Sequence, residues 1–230
     1  EVVGGLGNQM FQYAAASALA DRLSTGVCLD LRRFDTYKLR APALHSWQID
    51  AQPMSPQEAR RYPRALVKTA GWLPQAFQRR LGYYREPSLM FDITFEELRS
   101  PLHLAGYFQS ELYFHAIRNR LLREFVPAAP LDSPNAALAA RMRECNSISL
   151  HIRRGDYVTV PHNQQIHGLC SLTYYQRAIE YLQATVGRST WFVFSDDLGW
   201  VREHLPVPDS VVFVEGNGER PEWDIHLMAQ

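Results

Sequence analysis

Residues 147–157 read Ser147-Ile148-Ser149-Leu150-His151-Ile152-Arg153-Arg154-Gly155-Asp156-Tyr157. From Ser147 to Ile152 the residues alternate as a β-strand does, and the strand runs directly into a charged, glycine-containing loop. Downstream, Thr173 with Gln176 forms a capping box for a helix carrying Tyr175, Ile179 and Leu182. An apolar run from Trp191 to Phe194 predicts a second strand, and a short helix ended by Pro206 follows it. A third strand spans Val211 to Val214, and another helix starts after Pro221. The order β-α-β-α-β-α favours a parallel sheet with right-handed crossovers, whose ligands bind at the carboxyl ends of the strands.

Those ends carry His151, Arg153, Arg154 and Asp156 after the first strand, Asp196 and Asp197 after the second, and Glu215-Gly216-Asn217-Gly218 after the third. Alternation puts His151 and Arg153 on one side and Arg154 and Asp156 on the other. Arg153 is assigned to the cleft, where its paired donors suit a diphosphate; Arg154 pairs with Asp156 or another acid and holds the loop. The competing reading is two structural ion pairs. Asp196 and Asp197 suit a divalent metal, ribose hydroxyls or a helix cap, with capping the safest role for one of them. No further His and acid cluster lies at ligand spacing, so no metal is expected.

Upstream, Val126 to Pro134 holds three prolines, which block helix and ladder continuity. A domain boundary is placed there, giving an N-terminal domain at 1–133 and a Rossmann-like domain at 134–230. Residues 33–134 are less regular, with a short helical stretch at Leu112 to Phe125. At the start, Gly4-Gly5-Leu6-Gly7-Asn8-Gln9 resembles a phosphate-cradling turn before a helix amino end. Asn8 is expected to cap a helix whose apolar face is Phe11, Ala14, Ala15, Ala18, Leu19 and Leu23, with Gly26 as its stop, and a strand follows at Val27 to Leu31. The turn lacks the third glycine of the dinucleotide fingerprint, which weighs against a nicotinamide enzyme.

Bulk composition narrows the partners. Twenty-four basic residues balance 24 acidic ones, so summed charge gives no reason to expect a nucleic acid. No stretch approaches the roughly 20 apolar residues of a membrane-spanning helix, which leaves peripheral membrane association open. Cys28, Cys145 and Cys170 are odd in number and widely spaced, and read as buried free thiols in a reducing compartment.

Five stretches together resemble the α1,2-fucosyltransferase family (glycosyltransferase family 11 type): Gly4 to Tyr13, Gly106-Tyr107-Phe108-Gln109, His151 to Tyr157, Phe194-Ser195-Asp196-Asp197 and Asp224-Ile225-His226-Leu227-Met228. They occur in the family's order across nearly the whole chain. The resemblance implies an α/β, GT-B-like fold with two Rossmann-type halves, the second a mostly parallel sheet. It also implies GDP-fucose as donor substrate, the 2-hydroxyl of a terminal β-galactoside as acceptor, inversion, and no metal or other cofactor.

By the same resemblance His151 and Asp224 hold guanine, Arg153 the diphosphate, Asp196 or Asp197 orders the nucleotide pocket, and Asn8 lies where phosphate, fucose and acceptor meet. Arg153, Asp156 and Asn8 are the expected catalytic residues; Arg154, Gly7 and Gln9 complete the donor-binding set. Asp156, His167 and Glu215 are the candidate general bases, Asp156 first, unless Arg154 neutralises it. Tyr107, Phe108, Trp47 and Trp72 are either acceptor-stacking or core aromatics. The family continues past the last helix with a serine- and tryptophan-rich segment, so this chain reads as cut at both ends. Bacterial relatives are cytoplasmic and animal ones reside in the Golgi lumen behind an amino-terminal anchor; the bacterial location is expected unless such an anchor was trimmed. The remaining alternative is a non-catalytic sugar-nucleotide or glycan-binding protein.

Overall fold

The computed structural model describes residues 1–37, 39–99, 102–155, 158, 168–206 and 210–230. The chain forms two compact units, Glu1–Ala129 and Pro130–Gln230. The boundary expected at 133/134 would cut a helix: Asp132 accepts the amide of Asn135 at 2.9 Å and caps a helix that begins at Ser133.

The first unit contains α1 (Leu6–Arg22), β1 (Cys28–Leu29), β2 (Gln52–Pro53), α2 (Pro56–Arg61), α3 (Arg64–Ala70), α4 (Gln75–Arg80), β3 (Tyr83–Arg85), β4 (His103–Ala105) and α5 (Arg118–Glu124). Its strands form two parallel pairs, β1 with β2 and β3 with β4. Ala15 and Leu19 of α1 pack with Tyr84, Phe95, Leu98, Phe108 and Tyr113. Beside this core, buried Asp30 receives Arg32 Nε at 2.8 Å and lies 3.0 Å from His103 Nε2. Burial works against the Asp30 charge, but the bonds from Arg32 and His103 prevail and hold its carboxyl far below the ordinary range.

The start of α1 differs from expectation. Gly4 turns the chain at φ 88° and Gly5, which has no side chain to bond with, is the N-cap; Asn8 therefore lies inside the first turn. The helix ends at Arg22, before Gly26, with Ser24 taking the left-handed position at φ 51°. The following strand is only Cys28–Leu29.

The second unit runs α6 (Ser133–Glu144), β5 (Ser147–Ile152), α7 (Leu172–Val186), β6 (Thr190–Ser195), α8 (Leu198–His204), β7 (Val211–Phe213) and α9 (Pro221–Met228). The sheet order is β5-β6-β7 and both pairings are parallel, with Ile152 opposite Ser195 and Val193 opposite Phe213. Alternation along β6 explains the three layers. Trp191 and Val193 pack with Ile152 against Tyr175 and Ile179 of α7 and Val201 of α8. Phe192 and Phe194 face the other way, onto Ala139 and Met142 of α6 and Leu227 of α9. Continuous apolarity from Trp191 to Phe194 is what a parallel strand covered on both faces requires.

The capping box expected at Thr173 is replaced by Ser171, which accepts the Tyr174 amide at 3.1 Å two residues earlier. The cysteines are free, but the expectation of burial fails: Cys28 and Cys170 are exposed and Cys145 is half-buried. Cys28 Sγ donates to Glu58 at 2.9 Å, and that bond to a carboxylate pushes the thiol up to about 11. Among the described residues no helix is long and apolar enough to cross a membrane.

Phe192, 0% exposed, has α6 and α9 closing over it. Phe192→Ala is expected to cost about 3–5 kcal/mol in urea denaturation, and a loss below about 1 kcal/mol would contradict this packing.

Candidate functional site at the carboxyl ends of the parallel sheet

The pairing of Ile152 with Ser195 ends both ladders together, so the residues that follow, Arg153-Arg154-Gly155 and Asp196-Asp197, leave the sheet side by side. Their contacts divide the two acids. Asp196 Oδ1 accepts the backbone amides of Arg154 at 2.8 Å and Gly155 at 3.0 Å, while its Oδ2 lies 3.5 Å from Arg153 Nε. Two amides and a guanidinium thus converge on one carboxylate. A Cβ on Gly155 would stand 2.7 Å from Asp196 Oδ2, so this approach needs glycine.

Asp197 caps α8 by accepting the Trp200 amide at 3.2 Å, and its second oxygen holds Arg154 Nε at 3.2 Å. The Arg154 guanidinium also lies 3.6 Å from the centre of the Trp200 ring, which in turn stacks on His204. Arg154 is therefore clamped from two sides and braces the loop, with Asp197 as its acid. Arg153 is also ion-paired, and the arginines differ in the acid they meet: Asp196, which gathers the loop amides, for Arg153, and Asp197, which caps α8 beside the Trp200 ring, for Arg154. The ladder stops at Ile152, so the strand alternation expected to run on through Asp156 ends before Arg153.

His151, the penultimate residue of β5, is exposed. Desolvation of its ring and the neighbouring Arg153 charge lower its pKa, outweighing the pull of Asp196 and Asp224, and so favour the neutral ring. Asp224 belongs to the first half of α9 and is half-buried. Burial raises its pKa, against an opposing hydrogen bond from Asn217 and the proximity of His151.

The residues that hold Asp224 were not anticipated. Asn217 and Asn135, both buried, exchange amide hydrogen bonds of 2.9 and 3.0 Å, and Asn217 Nδ2 donates to Asp224 Oδ1 at 2.8 Å. Asn135 in turn reaches Asp132, the cap of α6, at 2.8 Å. A chain of four polar side chains thus runs from the start of α6 to α9. The glycine-flanked Asn217 was visible as a loop residue, but its partner lies 82 positions away.

Elsewhere in the expected set, Gln9 is fully buried and its amide is spent on Gly4, Ala41 and Ala43, so it braces the glycine turn from behind. Gly7 is exposed on the first turn of α1, and Asn8 Oδ1 accepts Gln109 Nε2 at 2.7 Å. Glu215 is paired with Arg202. Asp156 and His167 lie outside the described residues. Trp47 and Phe108 are core residues at 3% and 1% exposure, which leaves Tyr107 and Trp72 as the exposed aromatics of that group. Among the described residues no group of three or more His, Cys, Asp or Glu side chains is arranged to hold a metal ion.

Asn217→Ala leaves the buried Asn135 amide short of its partner and removes the bond that lowers Asp224. It is expected to cost about 1–3 kcal/mol in thermal or chemical denaturation and to raise the Asp224 pKa further in a carboxyl-carbon NMR titration. An unchanged Asp224 titration would contradict the network.

The sequence model of the family described as Glycosyl transferase family 11 matches residues 1–230. An α-1,2-colitosyltransferase of Escherichia coli is 34% identical, with 99% of this chain and 79% of that protein aligned. Galactoside α-(1,2)-fucosyltransferase 2 of Sus scrofa is 25% identical over 99% of this chain and 62% of its own length. Among solved structures, NodZ α-1,6-fucosyltransferase soaked with GDP-fucose matches at a TM-score of 0.49 and 15% identity, covering 98% of this chain and 79% of that one. The family match extends through both compact units and every motif at the sheet's carboxyl edge, and on that ground the chain belongs to glycosyl transferase family 11.

Proposed function

We propose that this glycosyltransferase moves L-fucose from GDP-fucose to the 2-hydroxyl of a terminal β-galactoside, with inversion and without a metal. The observation that carries the reading is the gathering of His151, Arg153, Asp196 and Asp224 in the second unit, at the edge of a parallel sheet where ligands of such folds bind.

A nucleoside diphosphate needs two kinds of contact. Guanine offers N–H donors, which suit the Asp224 carboxylate, and ring acceptors and edges, which suit a neutral His151. The diphosphate needs cations, and Arg153 is the candidate. Asp196 serves it indirectly: by binding Nε of Arg153 and the amides of Arg154 and Gly155, it fixes the loop before a ligand arrives. Arg154 and Asp197 hold that loop to α8. In the first unit, Gly7 and Asn8 on the opening turn of α1 are the candidate anion and acceptor contacts, with Gln9 behind them.

In the transfer, the acceptor oxygen forms a bond to the anomeric carbon as the bond to GDP breaks, and the acceptor proton passes to a base. The transition state has oxocarbenium character, so negative charge grows on the departing diphosphate. Arg153 stabilises that charge more in the transition state than in the ground state. Asp156 remains the first candidate for the base.

The 34%-identical relative, named for colitosyl transfer, favours a second reading of the donor sugar. Colitose lacks the 3-hydroxyl of fucose, so donor analogues differing only there separate the two.

The reading is tested by measuring GDP release from GDP-fucose in EDTA, with and without a β-galactoside, followed by linkage analysis of the product. Acceptor-dependent release with an α1,2 product is expected. Nucleotide binding without transfer would support the binding-protein alternative, and absence of GDP binding would overturn the donor assignment.

Two variants sharpen it. Arg153→Ala should lower kcat by about 10²–10³, the loss typical of one preorganised donor at a developing anion; a folded variant keeping more than about a tenth of the activity contradicts the role. For pH, Asp224 has its pKa raised, so its carboxylate is lost at a higher pH than an ordinary one. GDP affinity should be flat near pH 7–8 and weaken on acidification toward that raised value. Asp224→Asn should bind GDP more weakly at neutral pH and lose this acid limb in calorimetric titrations; an acid limb unchanged in the variant would remove Asp224 from the site.

A further inference from the structure

The overall charge balance of this chain conceals one local exception. Between Glu58 and Glu86 lie six arginines and Lys68, and no acidic residue. This stretch comprises the end of α2, then α3, α4 and β3 of the first unit. Of its cations, Arg64 pairs with Asp35, and Arg79 with Glu97 at 3.6 Å. Arg60, Arg61, Lys68, Arg80 and Arg85 have no carboxylate at ion-pair distance among the described residues, and all five are exposed.

The same stretch exposes large apolar side chains. Trp72 is 88% exposed, Phe77 55%, Leu81 49% and Leu73 39%. Phe77 of α4 and Leu81, its C-cap, are four residues apart and lie along one side of that helix; Trp72 and Leu73 stand in the short connection between α3 and α4. The inward side is already taken: Leu66, Val67 and Ala70 pack on Tyr62 and Tyr83, and buried Gln78 is bonded to Leu73 O and Arg85 N at 2.8 and 3.0 Å. Arg79 also bonds Thr94 Oγ1 at 2.5 Å, which brings exposed Ile93 beside α4. The nearest following acids are engaged internally, Glu86 by the amides of Tyr107 and Phe108 and Asp92 by Tyr84 and Thr94.

One kind of partner satisfies both properties. A nucleic acid would use the cations and leave Leu73, Phe77 and Leu81 in water. An anionic bilayer accepts both: its phosphates meet the arginines and lysine, and Trp, Phe and Leu side chains enter the boundary between headgroups and acyl chains. We propose that the α3–α4 face of the first unit is a membrane-docking surface for bilayers containing anionic lipids. It does not depend on the donor or acceptor assigned above.

The probe is co-sedimentation of the protein with phosphatidylcholine vesicles, with and without phosphatidylglycerol, at low and high salt. Binding is expected only with phosphatidylglycerol and should fall with salt. Lys68→Glu with Arg80→Glu should weaken it at least ~25-fold, from about fivefold for each surface cation. Trp72→Ser with Phe77→Ser should weaken it about tenfold or more, from the apolar area withdrawn. In the unaltered protein, brominated acyl chains should quench tryptophan fluorescence, and Trp72→Phe should remove that quenching. All four substituted side chains are exposed, so melting temperatures should hold. Failure to bind either vesicle, or binding unchanged in both double variants, would overturn the proposal. So would anionic-vesicle binding without quenching and indifferent to Trp72 and Phe77, which would indicate a polyanion surface instead.

Discussion

Strand β6 is the constraint from which the second unit follows. Its side chains from Trp191 to Phe194 are almost wholly buried, alternately against α7 and α8 and against α6 and α9, and its backbone pairs with β5 on one side and β7 on the other. Each such side chain contributes roughly 1.5–3 kcal/mol by leaving water. A one-residue slip would exchange the faces of every one of them, so the register is strongly specified. That register places Asp196 and Asp197 next to the Arg153-Arg154-Gly155 loop: the arginines and aspartates begin on both strands where the ladder ends.

From there the chemistry is organised by partner choice rather than by residue type. Arg153 and Arg154 are neighbours with the same side chain, yet one meets the carboxylate that gathers the loop amides and the other is held between a helix cap and an indole ring. Asp196 and Asp197 divide in the same way. Asp224 is half-buried at a cost to its charge, and the paired amides of Asn135 and Asn217 offset part of it. These contacts hold charged groups in fixed positions, the condition under which preorganised groups stabilise developing charge without reorganisation.

Much of the second unit could be read from residue patterns, since β5, β6 and α7 are long enough for their periodicity to speak, and Ser147 to Ile152 matches the observed strand. The short strands of the first unit, two or three residues each, have no periodicity to detect. Caps were misplaced where a second candidate lay a few residues upstream: Ser171 outranks Thr173, and Gly4 with Gly5 start α1 before Asn8 is reached. The gathering of Arg153, Arg154, Asp196 and Asp197 at the strand ends was foreseeable because a parallel sheet collects such residues at one edge. Asn135 and Asn217 were not, because their pairing depends on the packing of α6 beside α9, a tertiary fact with no local signature. The thiols illustrate the opposite error, a residue type usually buried that here lies at the surface.

The central claim is that the carboxyl edge of the β5-β6-β7 sheet is the nucleotide site. The most direct measurement is hydrogen exchange resolved by mass spectrometry, with and without GDP. The account predicts slower exchange in peptides covering 151–155, 195–197 and 215–224, with the outer faces of α7 and α8 unchanged. Slowing confined to other peptides, with those three unaffected at saturating GDP, would contradict it.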